Sequence, residues 1–198
     1  LLGTATVTDL SWTFDFAPDP VSFAAHNDIA INGNSMTKTG GVTNRWDTGV
    51  VANEKLVGDG KVSTTVDGTD SNRMFGLAVR STTESYVDMN YAIYLNSLKD
   101  ISVFEITSGQ TASKSQGKFG KYEDGDVFSI QRIGTQITYL KNGVKFHDSA
   151  TPAPAGDLFV DTALRTIGAK LENLIIEKEL SVGDHSITAK IESPTETT

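Results

Sequence analysis

Apolar and polar residues alternate in short runs along most of this chain, and turn-forming dipeptides separate the runs. The clearest example extends from Asp124 to Ser149, where Asp124-Gly125, Gly134-Thr135 and Asn142-Gly143 separate three runs. Alternation with a period of two places apolar side chains on one face of a strand. Asn-Gly and Asp-Gly supply the positive φ angles of tight hairpins. The segment therefore predicts an antiparallel meander with strands at 127–133, 136–140 and 144–148.

Similar runs recur through the rest of the chain. They predict further strands at 4–16, 61–66, 74–80, 88–95, 101–106, 158–162 and 170–177. The polar stretch from Thr107 to Gly117 predicts a loop. A weak helical period from Gly168 to Leu180 is outweighed by the β-forming Leu174-Ile175-Ile176. Many short strands separated by Gly and Pro turns predict an all-β domain, a sandwich or a jelly roll.

The same pattern suggests how the chain is divided. We expect one β-sandwich over residues 1–177, and a C-terminal strand with a polar linker tail over 178–198. The chain starts at Leu1 without a charged or strongly apolar leader. We therefore expect any targeting segment to have been removed or to lie outside this sequence.

Composition excludes several classes of function. The chain has 17 Lys and Arg residues against 25 Asp and Glu, a net charge of −8, which disfavours binding to nucleic acid phosphates. Without cysteine it has no disulfide, thiol nucleophile or zinc-thiolate site. No apolar run approaches the roughly 18 residues of a membrane-spanning helix, so we expect no membrane insertion.

Several motifs, taken in their order along residues 21–177, resemble those of concanavalin A-like lectin/glucanase modules, with laminin G-like and SPRY-like features. They are Trp46-Asp-Thr-Gly, Gly58-Asp-Gly-Lys-Val, Asp88-Met-Asn-Tyr-Ala-Ile-Tyr-Leu, Tyr139-Leu-Lys-Asn-Gly and Gly168-Ala-Lys-Leu-Glu-Asn-Leu-Ile-Ile. The resemblance implies a concanavalin A-like jelly-roll β-sandwich of two antiparallel sheets. Such modules occur in large secreted or surface proteins of bacteria, and the fold carries lectins, hydrolases, lyases and peptide binders alike.

Catalytic motifs of this fold are not evident in the sequence. Glucanases of the fold carry Glu-X-Asp-X-X-Glu on one strand, whereas the nearest match, Glu177-Lys178-Glu179, lacks the central Asp. The lyase motifs rich in Arg and Gln-His are absent, and His26, His147 and His185 are far apart. We therefore expect a protein that is not an enzyme.

A sugar site needs planar hydrogen-bonding groups and an aromatic ring. Asp88, Asn90 and Tyr94 share one face of the strand predicted at 88–95. Three further side chains would join them if their strands are neighbours: Arg80, Gln131 and Tyr139. The alternative is that these polar residues only solvate the outer face of a sheet. Trp12 and Trp46 are expected to pack in the core or at its rim.

A calcium site is the second candidate. Asp67, Asp70 and Asn72 supply side-chain oxygen atoms at alternating positions of one polar loop, as calcium loops do. The loop lacks the distal glutamate of an EF-hand, and the alternative is a solvated strand connection.

The leading hypothesis is a non-catalytic recognition module for a glycan or another cell-surface ligand, within a larger adhesin- or fibre-like protein. It would act outside a bacterial cell, on its surface, or on a virion. The alternative is a structural domain (a capsid decoration, filament component or spacer) that contacts neighbouring copies through residues 1–16 and 178–198. A polysaccharide-cleaving enzyme is the third possibility.

Overall fold

The computed structural model describes residues 18–80, 83–107 and 110–178. The strand predicted at 4–16, Trp12, and the segment 179–198 lie outside these ranges. The described chain forms strands and a single 3₁₀ turn, Tyr86–Asp88. The strands are β1 Asp19–Pro20, β2 Ile29–Asn32, β3 Ser35–Lys38, β4 Val51–Leu56, β5 Gly60–Thr65, β6 Arg73–Ala78, β7 Tyr91–Leu95, β8 Asp100–Glu105, β9 Lys114–Lys121, β10 Val127–Ile133, β11 Gln136–Lys141, β12 Val144–Asp148, β13 Leu158–Leu164 and β14 Lys170–Lys178.

Two antiparallel sheets form the domain. The eight-stranded sheet has the order β12-β11-β10-β5-β14-β3-β2, with β1 pairing to β14. The six-stranded sheet has the order β4-β13-β6-β7-β8-β9. Strands that are distant in sequence are adjacent in both sheets, as in a jelly roll. The prediction of an all-β sandwich with two antiparallel sheets is confirmed.

The meander predicted from the turn dipeptides is present. Strands β10, β11 and β12 pair antiparallel, and Asn142 and Gly143 have φ angles of 50° and 75° at the second turn. The stretch predicted as a loop from Thr107 to Gly117 is only partly so, because β9 begins at Lys114. This strand lies at a sheet edge, is mostly exposed, and shifts register twice against β8. It therefore has no buried face to impose an apolar alternation.

The main core lies between the sheets. Fully buried aliphatic and aromatic side chains from both inner faces fill it, including Leu56, Val62, Phe75, Ile93, Val103, Phe128, Ile130, Val160 and Leu171. A smaller apolar cluster lies on the other, outer face of the six-stranded sheet, because successive residues of a strand point to opposite sides. This outer cluster consists of Met74, Met89, Ala92 and Ala163, against which Trp46, Tyr86, Tyr94 and Phe104 pack.

The segment 39–50 leads to the outer cluster, and Lys38 anchors it. The Lys38 side chain is 1% exposed, and its ammonium group contacts the Asp47 carboxylate at 2.9 Å. It also donates to the carbonyl oxygens of Val42, Arg45, Leu164 and Arg165 at 3.2–3.3 Å. A buried cation with this many acceptors fixes the segment against the end of β13 and places Trp46 over the sheet.

Candidate functional site

A polar pocket of about 340 Å³ lies at one end of the six-stranded sheet. Strands β6 and β8 end there and β7 begins there, because neighbouring strands run antiparallel. We call it the polar pocket. Its lining residues are Val79, Arg80, Asp88, Asn90, Ile106, Gln110 and Thr111.

Three of the residues predicted from the sequence to bind a ligand come together in this pocket: Arg80, Asp88 and Asn90. Asp88 belongs to the 3₁₀ turn and not to a strand, so the predicted strand at 88–95 starts later, at Tyr91. The turn brings Asp88 back towards the loop that follows β6. The grouping therefore depends on the turn and on strand pairing, and not on one strand face.

Asn90 is held in place by its backbone and by its own side chain. Its N–H donates to the Leu77 carbonyl at 2.9 Å, and its carbonyl accepts from the Ile106 N–H at 3.1 Å. The side-chain Oδ1 accepts from the Val79 N–H at 2.7 Å. The Nδ2 group donates to no atom of the described residues, so Asn90 offers a ligand a donor in a fixed position.

The segment 110–113 forms another wall of the pocket. The Ser113 N–H donates to the Val87 carbonyl at 3.1 Å, which joins this segment to the 3₁₀ turn that carries Asp88. The Gln110 Oε1 and Ser113 Oγ atoms are buried and have no hydrogen-bond partner within the described ranges. Buried polar atoms are nearly always paired, so the Oε1 atom of Gln110 gives this wall hydrogen-bonding capacity for which the described residues supply no partner.

Tyr94 does not line the pocket, although it was predicted with Asp88 and Asn90. Its position is four residues beyond Asn90, about 13 Å along an extended chain. Its ring makes edge-to-face contacts with Trp46 and Phe104, at centroid distances of 5.5 and 5.7 Å. Its hydroxyl donates to Asn72 Oδ1 at 2.7 Å, and burial raises the pKa of the phenol. Tyr94 therefore belongs to the outer cluster.

The outer cluster is connected to the pocket through Tyr86. This ring contacts Trp46 at 5.3 Å and Phe104 at 5.7 Å, both in edge-to-face geometry. Tyr86 belongs to the same 3₁₀ turn as Asp88. Packing of Trp46 therefore helps to fix the turn that presents Asp88 to the pocket. These contacts of Trp46 agree with the expectation that it packs in the core or at its rim.

Gln131 and Tyr139 lie elsewhere. The condition on which they would join Asp88, Asn90 and Tyr94, that their strands are neighbours, is not met. They lie on β10 and β11 of the eight-stranded sheet, which are not neighbours of β6 or β7. Tyr139 is fully buried and donates to Glu105 Oε1 at 2.8 Å. Burial, together with the Glu105 charge, raises the pKa of Tyr139 well above its usual value. Alternation with the buried Ile137 already placed Tyr139 on the core face.

The oxygen atoms of the predicted calcium loop mostly have partners in the protein. The Asp67 carboxylate pairs with Lys170, which holds the pKa of Asp67 below its usual range. The guanidinium of Arg73, which is 0% exposed, donates to the Asp67 and Gly68 carbonyl oxygens. Two cationic side chains thus already occupy the positions next to these oxygens.

Asn72 and Asp70 complete the predicted loop. The Asn72 side chain is buried among Tyr94, Ser97 and Thr166, whereas Asp70 is exposed. No group of three or more His, Cys, Asp or Glu side chains able to hold a metal is found in the parts of the chain that the structure describes. Calcium binding remains a prediction, and it would require Lys170 to leave Asp67.

Two further observations concern the nearest match to a glucanase motif and the expectation of no membrane insertion. Glu177, from the nearest match to a glucanase motif, pairs with Lys61 at 3.0 Å, and Glu179 lies outside the described ranges. Among the residues placed by the structure, no helix is long and apolar enough to cross a membrane.

No protein-family model and no curated protein sequence matches this chain. Solved structures do match it. A carbohydrate-binding module, CBM66 from Bacillus subtilis, has a TM-score of 0.50 at 12% identity, covering 82% of this chain and 94% of that one. A human SPRY domain has a TM-score of 0.56 at 16% identity, covering 81% and 99%. The carbohydrate recognition domain of Emp47p has a TM-score of 0.53 at 7% identity, covering 82% and 90%.

These similarities show the fold. The chain is a concanavalin A-like jelly-roll β-sandwich of two antiparallel sheets, as its motifs predicted. Identities this low do not transfer a ligand, because the same fold serves unrelated functions.

Proposed function

We propose that this chain is a non-catalytic carbohydrate-recognition module that binds its ligand in the polar pocket. The observation that carries the proposal is the convergence of Arg80, Asp88 and Asn90 with an amide and a hydroxyl, from Gln110 and Thr111. A sugar ring presents hydroxyl groups around its edge and C–H groups on its faces. The described lining contains no aromatic ring of the kind expected from the sequence. The aliphatic side chains of Val79 and Ile106 would contact the C–H faces instead, while the polar side chains would bind the hydroxyls.

Two of the similar structures support a carbohydrate ligand. One is a carbohydrate-binding module and another is a carbohydrate recognition domain. Both share the sandwich over more than four fifths of this chain, which makes a sugar the first ligand to test.

The charged groups of the pocket support binding without catalysis. Asp88 is the one carboxylate in the described pocket lining. Hydrolysis of a glycosidic bond ordinarily requires two carboxyl groups on either side of that bond. A single carboxylate can accept hydrogen bonds from sugar hydroxyls but cannot fill both catalytic positions.

The cellular setting is part of the same proposal. A cysteine-free, acidic β-sandwich suits the surface of a bacterium or a virion, where a recognition module would belong to a larger adhesin- or fibre-like protein. Association with neighbouring copies through 1–16 and 178–198 remains a prediction, since 1–16 and nearly all of 178–198 lie outside the described ranges.

A glycan array tests the proposal directly. The labelled chain should bind at least one sugar, with and without calcium, because no pocket residue identified here needs a metal. Asn90→Asp keeps the Oδ1 acceptor for the Val79 N–H but replaces the Nδ2 donor by an oxygen, and it should lose the signal. Glu123→Gln is the control, since Glu123 forms an exposed pair with Lys99 at the opposite end of β8. An array on which nothing binds, or on which both variants bind like the parent, would refute the proposal.

A further inference from the structure

The charges of the polar pocket narrow the class of sugar it accepts. Arg80 and Asp88 both line it and carry opposite charges, and the remaining polar lining groups are uncharged amides and a hydroxyl: Asn90, Gln110 and Thr111. An ionic ligand would meet one attractive and one repulsive charge, and it would lose its hydration in exchange. A pocket with balanced charge therefore gains little from an acidic or basic ligand.

The donors and acceptors point in the same direction. The Asn90 Nδ2 group is a donor, whereas one lone pair of its Oδ1 already accepts from the Val79 N–H. Arg80 also donates. Asp88 already has an interaction partner within the protein, and a carboxylate, with about four acceptor sites, can accept from a ligand as well. A sugar hydroxyl does both, so two neighbouring hydroxyls can donate to Asp88 while accepting from Asn90 and Arg80. A carboxylate or sulfate group only accepts, and would be repelled by Asp88.

The charge of the chain as a whole adds a longer-range effect. A net charge of −8 repels anionic polymers before they reach the pocket, most strongly at low ionic strength. This repulsion would act on chains of uronic acid, on chains with sialic acid and on sulfated chains alike.

We infer that the pocket selects an uncharged sugar that presents neighbouring hydroxyl groups, and rejects acidic sugars. This inference rests on the proposed function, since it names the ligand class of the same site. Asp88 is the residue that determines this specificity, because it accepts from hydroxyls and repels carboxylates.

The test uses two panels of oligosaccharides, titrated calorimetrically into the whole chain. One panel holds neutral glucan, galactan, mannan and fructan oligosaccharides. The other holds oligogalacturonate, oligoglucuronate and alginate oligosaccharides. At least one neutral sugar should bind about tenfold more tightly than any acidic one, a difference of about 1.4 kcal/mol. Its affinity should change little with NaCl concentration.

Two isosteric variants show whether Asp88 is responsible. Asp88→Asn should lower the affinity for the neutral sugar and reduce the discrimination against acidic sugars, whereas Glu123→Gln should change neither. If acidic sugars bind most tightly and their affinity falls as the salt concentration rises, the inference fails while the proposed function stands. If neither panel binds, the proposed function itself fails. If neutral sugars bind equally well to the parent and to Asp88→Asn, the assigned specificity residue is wrong.

Discussion

Replacing Lys38 by methionine removes the charge that holds the segment 39–50 but keeps most of the side-chain volume. In the parent, the buried ammonium is within 3.3 Å of the Asp47 carboxylate and of four carbonyl oxygens, among them those of Val42 and Leu164. The variant leaves Asp47 without its cation and the Leu164 carbonyl without this donor.

The expected cost can be bracketed. Removing one partner of a fully buried ion pair costs about 3–5 kcal/mol. The Asp47 side chain keeps 25% of its surface exposed and also accepts from the Val42 N–H and the Thr48 hydroxyl. Water can therefore solvate it in part, and we expect a loss of about 1.5–3 kcal/mol, the range of hydrogen bonds to charged groups.

Urea unfolding followed by tryptophan fluorescence measures this loss. Lys61→Met is the matched control, because Lys61 pairs with Glu177 while both side chains are about one third exposed. Exposed pairs contribute less than about 1 kcal/mol. The account of Lys38 as the anchor of this segment is refuted if Lys38→Met is no more destabilising than Lys61→Met.

Three further predictions concern stability. The folded-state pKa values of Asp47 and Asp67 are lowered, chiefly by hydrogen bonds from lysines. The stability that these two carboxylates contribute is therefore complete above their unfolded pKa of about 3.9, and it is lost as the pH falls through the folded-state values. Urea midpoints should drop between pH 5 and pH 3, and unchanged midpoints would contradict this. Tyr94→Phe leaves the buried Asn72 Oδ1 without this donor and should cost about 1 kcal/mol in urea unfolding while leaving sugar affinity unchanged; altered affinity would place Tyr94 in the site. Gly49→Ala puts a methyl group 2.2 Å from a β13 carbonyl oxygen and should lower the thermal midpoint, in the manner of overpacked cores that lose about 1–3 kcal/mol; an unchanged midpoint would show that this close approach is not required.

Much of the fold could be predicted because local signals and tertiary structure agree. The turn at Asn142-Gly143 has the positive φ angles that the dipeptide favours, and β11, the strand before it, buries the alternate residues Ile137 and Tyr139. Strand β9 lacked such a signal. Its sequence is polar, and it forms a strand because it pairs with the free edge of β8. The sequence of the segment does not indicate this pairing.

The candidate site was predictable only in part. Asn90 and Asp88 are close in sequence, and Arg80 reaches them because β6 and β7 pair. Gln110 and Thr111 were missed, since they follow β8 and carry no recognisable motif. The expectation for Tyr139 depends on its chemical type and on its strand being a neighbour, whereas its alternation with Ile137 indicates the core.

The predicted calcium loop is a different case, and calcium binding there stays a prediction. The loop has the alternating oxygen atoms that were predicted, but Arg73 and Lys170, which contact loop oxygens, come from strands β6 and β14, outside the loop. Cationic side chains from β6 and β14 interact with the loop oxygens that a metal would have taken. Pairing of this kind depends on the fold and is not encoded in the loop.

The most direct measurement of the central claim is a titration of the ¹⁵N-labelled chain with the tightest neutral oligosaccharide, followed by ¹H–¹⁵N correlation spectra. We predict saturable shifts of the Asn90 and Gln110 side-chain amides and of backbone amides around Val79, Asp88 and Ile106. Shifts centred on the β7–β8 turn at the other end of the sheet, or no saturable shift at all, would contradict a sugar site in the polar pocket.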